Sequence, residues 1–249
     1  MLAVIRDFLA TGKALVGALL APPFCENCYR AVQRDQIFCQ LCTTKINLIA
    51  PYELKVTPRY HVRVLAISDY AAPLQKLILA KNGHNSLASR QLAELIWQYT
   101  GFKYRSNDYL VPIPLHWTRR LKRGFNQTEI LAQRLVALAQ MTADSGGGRA
   151  LVSSSRANNS KTQIADILQR AHATKFQAEL KSVQRWQNLQ LVFQLKALSE
   201  RERAQFRGRD LVLVDDLMTT GATLTAAAKV LAQLQPRSIS AVVACRVLK

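Results

Sequence analysis

Leu211-Val212-Leu213-Val214 is a run of four apolar residues closed by Asp215-Asp216 and then by Thr219-Thr220-Gly221-Ala222-Thr223. A short apolar run without polar alternation reads as a strand buried on both faces. Such a strand belongs in a parallel sheet sandwiched between helix layers. The Thr/Gly turn after it opens a helix expected over 223–234, and Ile239 to Val247 reads as a further strand. The rest of the chain keeps the same alternation. Val62, Val64 and Ala66 read as a strand, Leu74, Leu77 and Ile78 as a helix, and Leu92, Leu95 and Ile96 as another. Leu110 to Leu115 is a short apolar run with two prolines, and a helix over 127–139 carries Leu131, Leu135 and Leu138 on one face. The expected class is α/β, a mostly parallel sheet with flanking helices, without internal repeats.

Composition narrows the function classes. Of 249 residues, 49% are hydrophobic and 20% charged, which excludes wholesale disorder. No apolar run approaches the length of a membrane span. With 34 Lys and Arg against 16 Asp and Glu, the net charge is +18, and a chain this basic suits polyanions: nucleic acid, phosphorylated metabolites or anionic lipid.

Two turns carry chemistry. In the first, Asp215 and Asp216 fall at the C-terminal end of their strand, where open α/β sheets bind ligands. The hydroxyls and backbone N–H groups of the turn make an anion site at the start of the helix, and Gly221 permits close backbone approach. Paired acids beside a phosphate cradle suit a phosphorylated ribose; the plainer reading is a tight turn with an N-cap threonine and a solvated acid pair. In the second, Val111-Pro112-Ile113-Pro114-Leu115 runs into a loop holding Arg119, Arg120, Lys122 and Arg123, with a helix starting near Asn126. Fixed positive charge there suits a pyrophosphate, while a solvated basic loop or a nucleic-acid contact remains open.

Cys25-x2-Cys28 and Cys39-x2-Cys42, ten residues apart, make two knuckles that supply the four soft ligands of a structural Zn²⁺. A module this small has little core of its own, so the metal would carry much of its folding energy. A redox dithiol pair and a disulfide framework are the competing readings. Tyr29 and Thr43 stand where a glycine often follows the second cysteine of a knuckle. Cys245 lies in an apolar strand and reads as buried. His61, His84, His116 and His172 are scattered without ligand spacing, and Trp97, Trp117 and Trp186 form no stripe, although Trp117 beside Arg119 could stack a base.

Leu2, Ile5 and Leu9 recur at helical spacing ahead of the apolar run Ala14 to Ala21, so residues 1–24 read as an amphipathic helix. Arg6 and Asp7 upstream, and Pro22-Pro23 without a cleavage pattern, argue against a secretory signal. The expected layout is this helix, a zinc-ribbon-like module over 25–58 ending in a linker through Pro51 and Pro58, and a main domain over 59–249. A Gly/Ser/Asn-rich stretch makes a mobile insertion of about 142–165 in that domain.

The acid–hydroxyl segment resembles the phosphoribosyl pyrophosphate (PRPP) motif of type I phosphoribosyltransferases. With the Val-Pro-Ile-Pro strand and the turn Arg119 to Gln127, which ends in Arg-Gly-Phe-Asn-Gln, the pattern is similar to the ComF/GntX family. Three further features agree: the order Thr174, Gln177, Leu180, Arg185, Asn188 and Phe193; Asp69-Tyr70 leading into Pro73-Leu74 and a helix with Lys76 and Lys81; and the cysteine cluster at the start. The family's usual Lys-Phe is Lys81-Asn82 here. The resemblance implies that Asp215 and Asp216 hold the ribose hydroxyls, that Thr219, Thr220, Gly221, Ala222 and Thr223 wrap the 5′-phosphate, and that Mg²⁺ accompanies PRPP. It also implies an accessory role in DNA uptake and natural transformation, with single-stranded DNA and the inner-membrane uptake machinery as partners of a cytoplasmic or peripherally bound protein. The alternative is an active transferase that moves phosphoribose from PRPP to an acceptor, although no segment reads as a nucleobase-specificity hood.

Overall fold

The computed structural model describes residues 23–80, 86–104, 108–115, 124–144, 162–170 and 192–247. The expected N-terminal helix, apart from its last two residues, lies outside them. So do Lys81, the basic residues Arg119 to Arg123, His84, His116, His172, Trp117, Trp186 and the 174–188 part of the family pattern.

Among the described residues the main sheet is formed by β1 (Tyr52–Lys55), β2 (His61–Asp69), β3 (Tyr109–Pro112), β4 (Gln163–Ile164), β7 (Asp210–Val214), β8 (Leu217–Met218) and β9 (Ser238–Arg246). Their order is β1-β2-β9-β7-β3-β4, with β8 paired to the end of β9. Every ladder is parallel except β1 with β2. β5 (Leu168–Arg170) and β6 (Phe193–Leu195) form a separate antiparallel pair. The helices are α1 (Gln40–Thr43), α2 (Leu74–Ala80), α3 (Ser86–Tyr99), α4 (Gln127–Asp144), α5 (Glu200–Phe206) and α6 (Ala222–Leu231).

Strand alternation splits the core into two layers. Leu211, Leu213, Ala241 and Val243 face one layer with Leu224, Ala227, Leu231 and Phe206. Val212, Val214, Val242 and Ala244 face the other, where α2, α3 and α4 contribute Leu77, Leu92, Ile96, Leu131 and Leu135. β7 is therefore buried on both sides, as its apolar run requires. Leu138, expected on the same stripe, is half-exposed and lies outside the core layer that takes Leu131 and Leu135.

Two segments depart from the sequence reading. Tyr52–Lys55, within the span assigned to the cysteine module and its linker, is the edge strand of the main sheet, paired with His61–Val64. The ends of the expected insertion are also ordered: α4 runs to Asp144 and Gln163–Ile164 pairs with β3.

The N-terminal edge of the sheet is closed by ion pairs. Asp210 accepts from the Arg237 guanidinium at two nitrogens and from Ser238 Oγ at 2.7 Å, and its backbone N–H donates to Asp108 Oδ2 at 2.8 Å.

Candidate functional sites

β3 and β7 are neighbours in the sheet, with Pro112 opposite Val214. The chain leaves β3 through α4 towards β4 and leaves β7 through α6 towards β9. The two helices lie on opposite faces, since Leu131 and Leu135 of α4 enter one core layer and Leu224 and Ala227 of α6 the other. The connections thus diverge at the C-terminal ends of the two strands, the topological switch point, which is where open α/β sheets place their ligand crevice. Asp215 and Asp216 stand on one lip. The other lip is Ile113 to Leu115, from which the chain enters the basic loop.

The acid pair has a fixed backbone. Asp215 N donates to Val242 O at 3.1 Å, and Asp216 O accepts from Ala244 N at 3.1 Å and Cys245 N at 3.4 Å. Asp216 N donates to Asp215 Oδ1 at 2.8 Å, and both side chains are half-buried. Gly221 caps α6 with φ +77° and without a side-chain capping bond, while Thr220 Oγ1 accepts from Ala222 N at 3.3 Å. Thr219, Thr220, Ala222 and Thr223 are exposed around it. Glycine is needed here twice over. The left-handed φ disfavours any Cβ, and a Cβ would meet Leu54 Cδ2 of β1 at 2.8 Å. The structure thus brings together Asp215, Asp216 and the whole Thr219 to Thr223 turn.

Two contributors to this edge are faint in sequence. Leu54 lies in the four-residue β1 and packs on the turn. Arg170, at the end of β5, donates from Nε to Pro114 O at 3.0 Å, and its guanidinium lies 4.9 Å from the Phe193 ring centroid. It pins the base of the β5–β6 pair to the lip that leads into the basic loop. Three-residue strands carry too little periodicity to announce themselves.

The second site is the cysteine quartet. The Sγ atoms of Cys25, Cys28, Cys39 and Cys42 all lie within 4.8 Å of one another, with Cys28 and Cys39 at 3.6 Å. Tetrahedral Zn–S bonds of about 2.3 Å require S···S separations of about 3.8 Å, so the four sulfurs fit one zinc ion. All four are free thiols in a single cluster, which does not match two disulfides.

The two halves of the quartet are built differently. Cys25 to Tyr29 is a knuckle turn: Tyr29 N donates to Cys25 O, and Cys25 N donates to Arg30 O. Tyr29 takes φ +62°, the glycine-like conformation, at a cost of about 1 kcal/mol for a residue with a Cβ. Cys39 to Cys42 is instead one turn of α1, with Cys39 as N-cap. The second knuckle expected from sequence is therefore helical, and Thr43 needs no left-handed backbone.

Burial opposes ionisation at Cys25, but backbone hydrogen bonds at Cys39, Cys28 and Asn27 outweigh it and bring the thiol down to about 6. At Cys42 the Asn27 amide, donating at 3.1 Å, favours the thiolate; burial and the three neighbouring sulfurs overcome it and push the thiol up to about 11. Four thiolates this close need a cation among them.

The cysteine module is also part of the body. Cys25, Phe38 and Cys42 belong to the core layer under α2 and α3. Lys76 Nζ donates to Asn27 O at 2.6 Å and Gln91 Nε2 to Glu26 Oε1 at 3.0 Å. Among the described residues no helix is long and apolar enough to cross a membrane.

Comparison with known proteins gives the chain's relatives. The phosphoribosyl transferase domain family matches residues 87–249. Over 233 residues the chain is 28% identical to DNA utilization protein YhgH of Escherichia coli (strain K12), covering 90% of each chain. It is equally similar, over the same length and coverage, to the protein of that name in Salmonella typhimurium. Over 218 residues it is 28% identical to Competence protein F of Haemophilus influenzae, covering 85% of this chain and 80% of that protein.

Proposed function

The chain belongs to the phosphoribosyl transferase domain family, and on that premise we propose that it binds PRPP with Mg²⁺ in the β3/β7 crevice and acts as an accessory protein of DNA utilization that handles single-stranded DNA. The observation that carries this reading is the Asp215–Thr223 turn, with its acid pair, left-handed Gly221 and exposed hydroxyls gathered at the switch point. Asp215 and Asp216 accept from the ribose hydroxyls. Thr219, Thr220, Gly221, Ala222 and Thr223 hold the 5′-phosphate with N–H and O–H donors at the start of α6. Arg119, Arg120, Lys122 and Arg123, which follow Leu115 in the sequence, neutralise the pyrophosphate. The oxygen-rich turn suits a hard cation, and Mg²⁺ would enter with the pyrophosphate oxygens as its main ligands.

The DNA side of the proposal draws on the names of the relatives and on the net charge of +18. Phosphate contacts by that many cations give affinity that falls steeply with salt. The four reduced thiols suit the cytoplasm, with the uptake machinery at the inner membrane as partner.

Calorimetry with PRPP–Mg²⁺ tests the site. A charged hydrogen bond is worth about 1.5–3 kcal/mol, so Asp215→Asn and Asp216→Asn are each expected to weaken binding about tenfold or more with the melting temperature unchanged. Unaltered affinity in both variants refutes the assignment. Pyrophosphate release on addition of a small acceptor would instead establish the transferase, a reading favoured by the β5–β6 pair standing beside the crevice as a wall an acceptor could meet.

A further inference from the structure

We propose that the outer face of the first cysteine turn is a stacking platform for single-stranded DNA, with Phe24 and Tyr29 receiving bases and Lys76 and Arg30 meeting the flanking phosphates. The proposal rests on the DNA-handling reading above and gives it a location outside the PRPP crevice.

Among the described residues the exposed aromatic rings are Phe24, Tyr29 and, away from them in β1, Tyr52 at 46%. Phe38, Tyr60, Phe102, Phe193 and Phe206 are buried, whereas Phe24 is 50% exposed and Tyr29 is 70% exposed. The two rings lie together, with centroids 5.8 Å apart and planes tilted by 38°. They bracket the knuckle: Phe24 precedes Cys25 and forms a bridge with Ala31, and Tyr29 follows Cys28. Metal bound by the cysteines would therefore fix both ring positions before a strand arrives, which lowers the entropy lost on binding.

Tyr29 also occupies a backbone conformation that glycine would take without strain. A strained residue that turns its ring outward gains nothing from core packing, which leaves the ring open to a contact with something outside the chain. The chemistry around the ring names the class. Lys76 Nζ lies 5.6 Å from the Tyr29 ring centroid and is held there by Asn27 O, and Arg30 is exposed beside it. Aromatic faces interleaved with cations, on a chain of charge +18, match a ligand that alternates flat π-faces with phosphates. A purely apolar protein partner would leave those cations without a counterpart.

The experiment uses the full-length, zinc-loaded protein and fluorescence anisotropy with a labelled oligo-thymidylate of about 20 nucleotides, at about 50 and 200 mM salt. Tyr29→Gly is expected to lose about tenfold or more in affinity, while zinc content and PRPP affinity stay at the wild-type level and the melting temperature does not fall. Tyr29→Phe keeps the ring and is expected to bind within about twofold of wild type. Phe24→Ala should behave like Tyr29→Gly, and Lys76→Gln should lower the salt slope by about one. Wild-type binding that Tyr29→Gly and Phe24→Ala both leave intact overturns the platform and spares the DNA reading. Failure of the wild type to bind at the lower salt overturns both. Binding of phosphatidylglycerol vesicles that depends on Tyr29, with oligonucleotide binding unaffected, overturns the platform in favour of a membrane contact.

Discussion

Replacing Gly221 with Ala puts a methyl group where the turn has no room for it. At φ +77° a Cβ costs about 1–2 kcal/mol. The same atom would lie 2.8 Å from Leu54 Cδ2 and 3.2 Å from Cδ1, so the Leu54 side chain must leave its rotamer. That displacement adds about 0.5–1.5 kcal/mol, at the lower end because the far end of a half-buried side chain is what moves. The expected loss is about 1.5–2.5 kcal/mol, which for a chain of this size lowers the melting temperature by about 3–10 °C. Urea unfolding of the zinc-saturated protein measures it. Leu54→Ala in the same chain relieves the contact but not the backbone strain, so the double variant should recover about 0.5 kcal/mol relative to additivity. If the turn escapes strain by opening, the loss appears as weakened PRPP binding instead. A Gly221→Ala protein with stability within about 0.5 kcal/mol of wild type and unaltered PRPP affinity refutes the reasoning.

Zinc affinity is expected to climb with pH from about 6, where the Cys25 thiol gives up its proton, and to go on rising towards about 11, because the Cys42 thiol must also give up its proton to become a ligand. The stability contributed by the metal is accordingly lost as the pH falls, and Cys42→Ser should abolish it; competition with a chromophoric chelator that showed a flat pH profile would count against this. Arg237→Gln removes a half-exposed partner of Asp210 at the strand ends far from the crevice. The expected cost is about 1 kcal/mol or less, diminished by salt, with PRPP affinity unchanged; a change in PRPP affinity would mean the two edges of the sheet are coupled.

The elements legible in sequence are those that form by their own burial. Leu211 to Val214 could be read because both faces of β7 are covered, and α4 because Leu131 and Leu135 fall on one buried stripe. The acid–hydroxyl turn was readable because its chemistry is local, and the family resemblance built on it agrees with the comparisons. β1 was not readable. Tyr52, Glu53 and Lys55 are exposed and only Leu54 turns inward, so the strand exists through its ladder with β2 and its contact with Gly221, both long-range. The second Cys-x-x-Cys misled for a different reason. The same spacing serves a knuckle and a helical turn, and only the residue after it, Tyr29 or Thr43, hints which backbone is used.

The family match begins at residue 87, in the first turn of α3, yet β9 lies between β7 and a strand that ends at Asp69. A chain cut at that boundary would keep every residue of the acid turn and lose its neighbour across six rungs of the sheet. What remained would present Ser238–Arg246, buried along most of its length in the intact protein, as a bare and apolar edge, a template for self-association. The upstream third of the polypeptide thus has a second duty besides anything it binds: it covers a strand edge that would otherwise lie open.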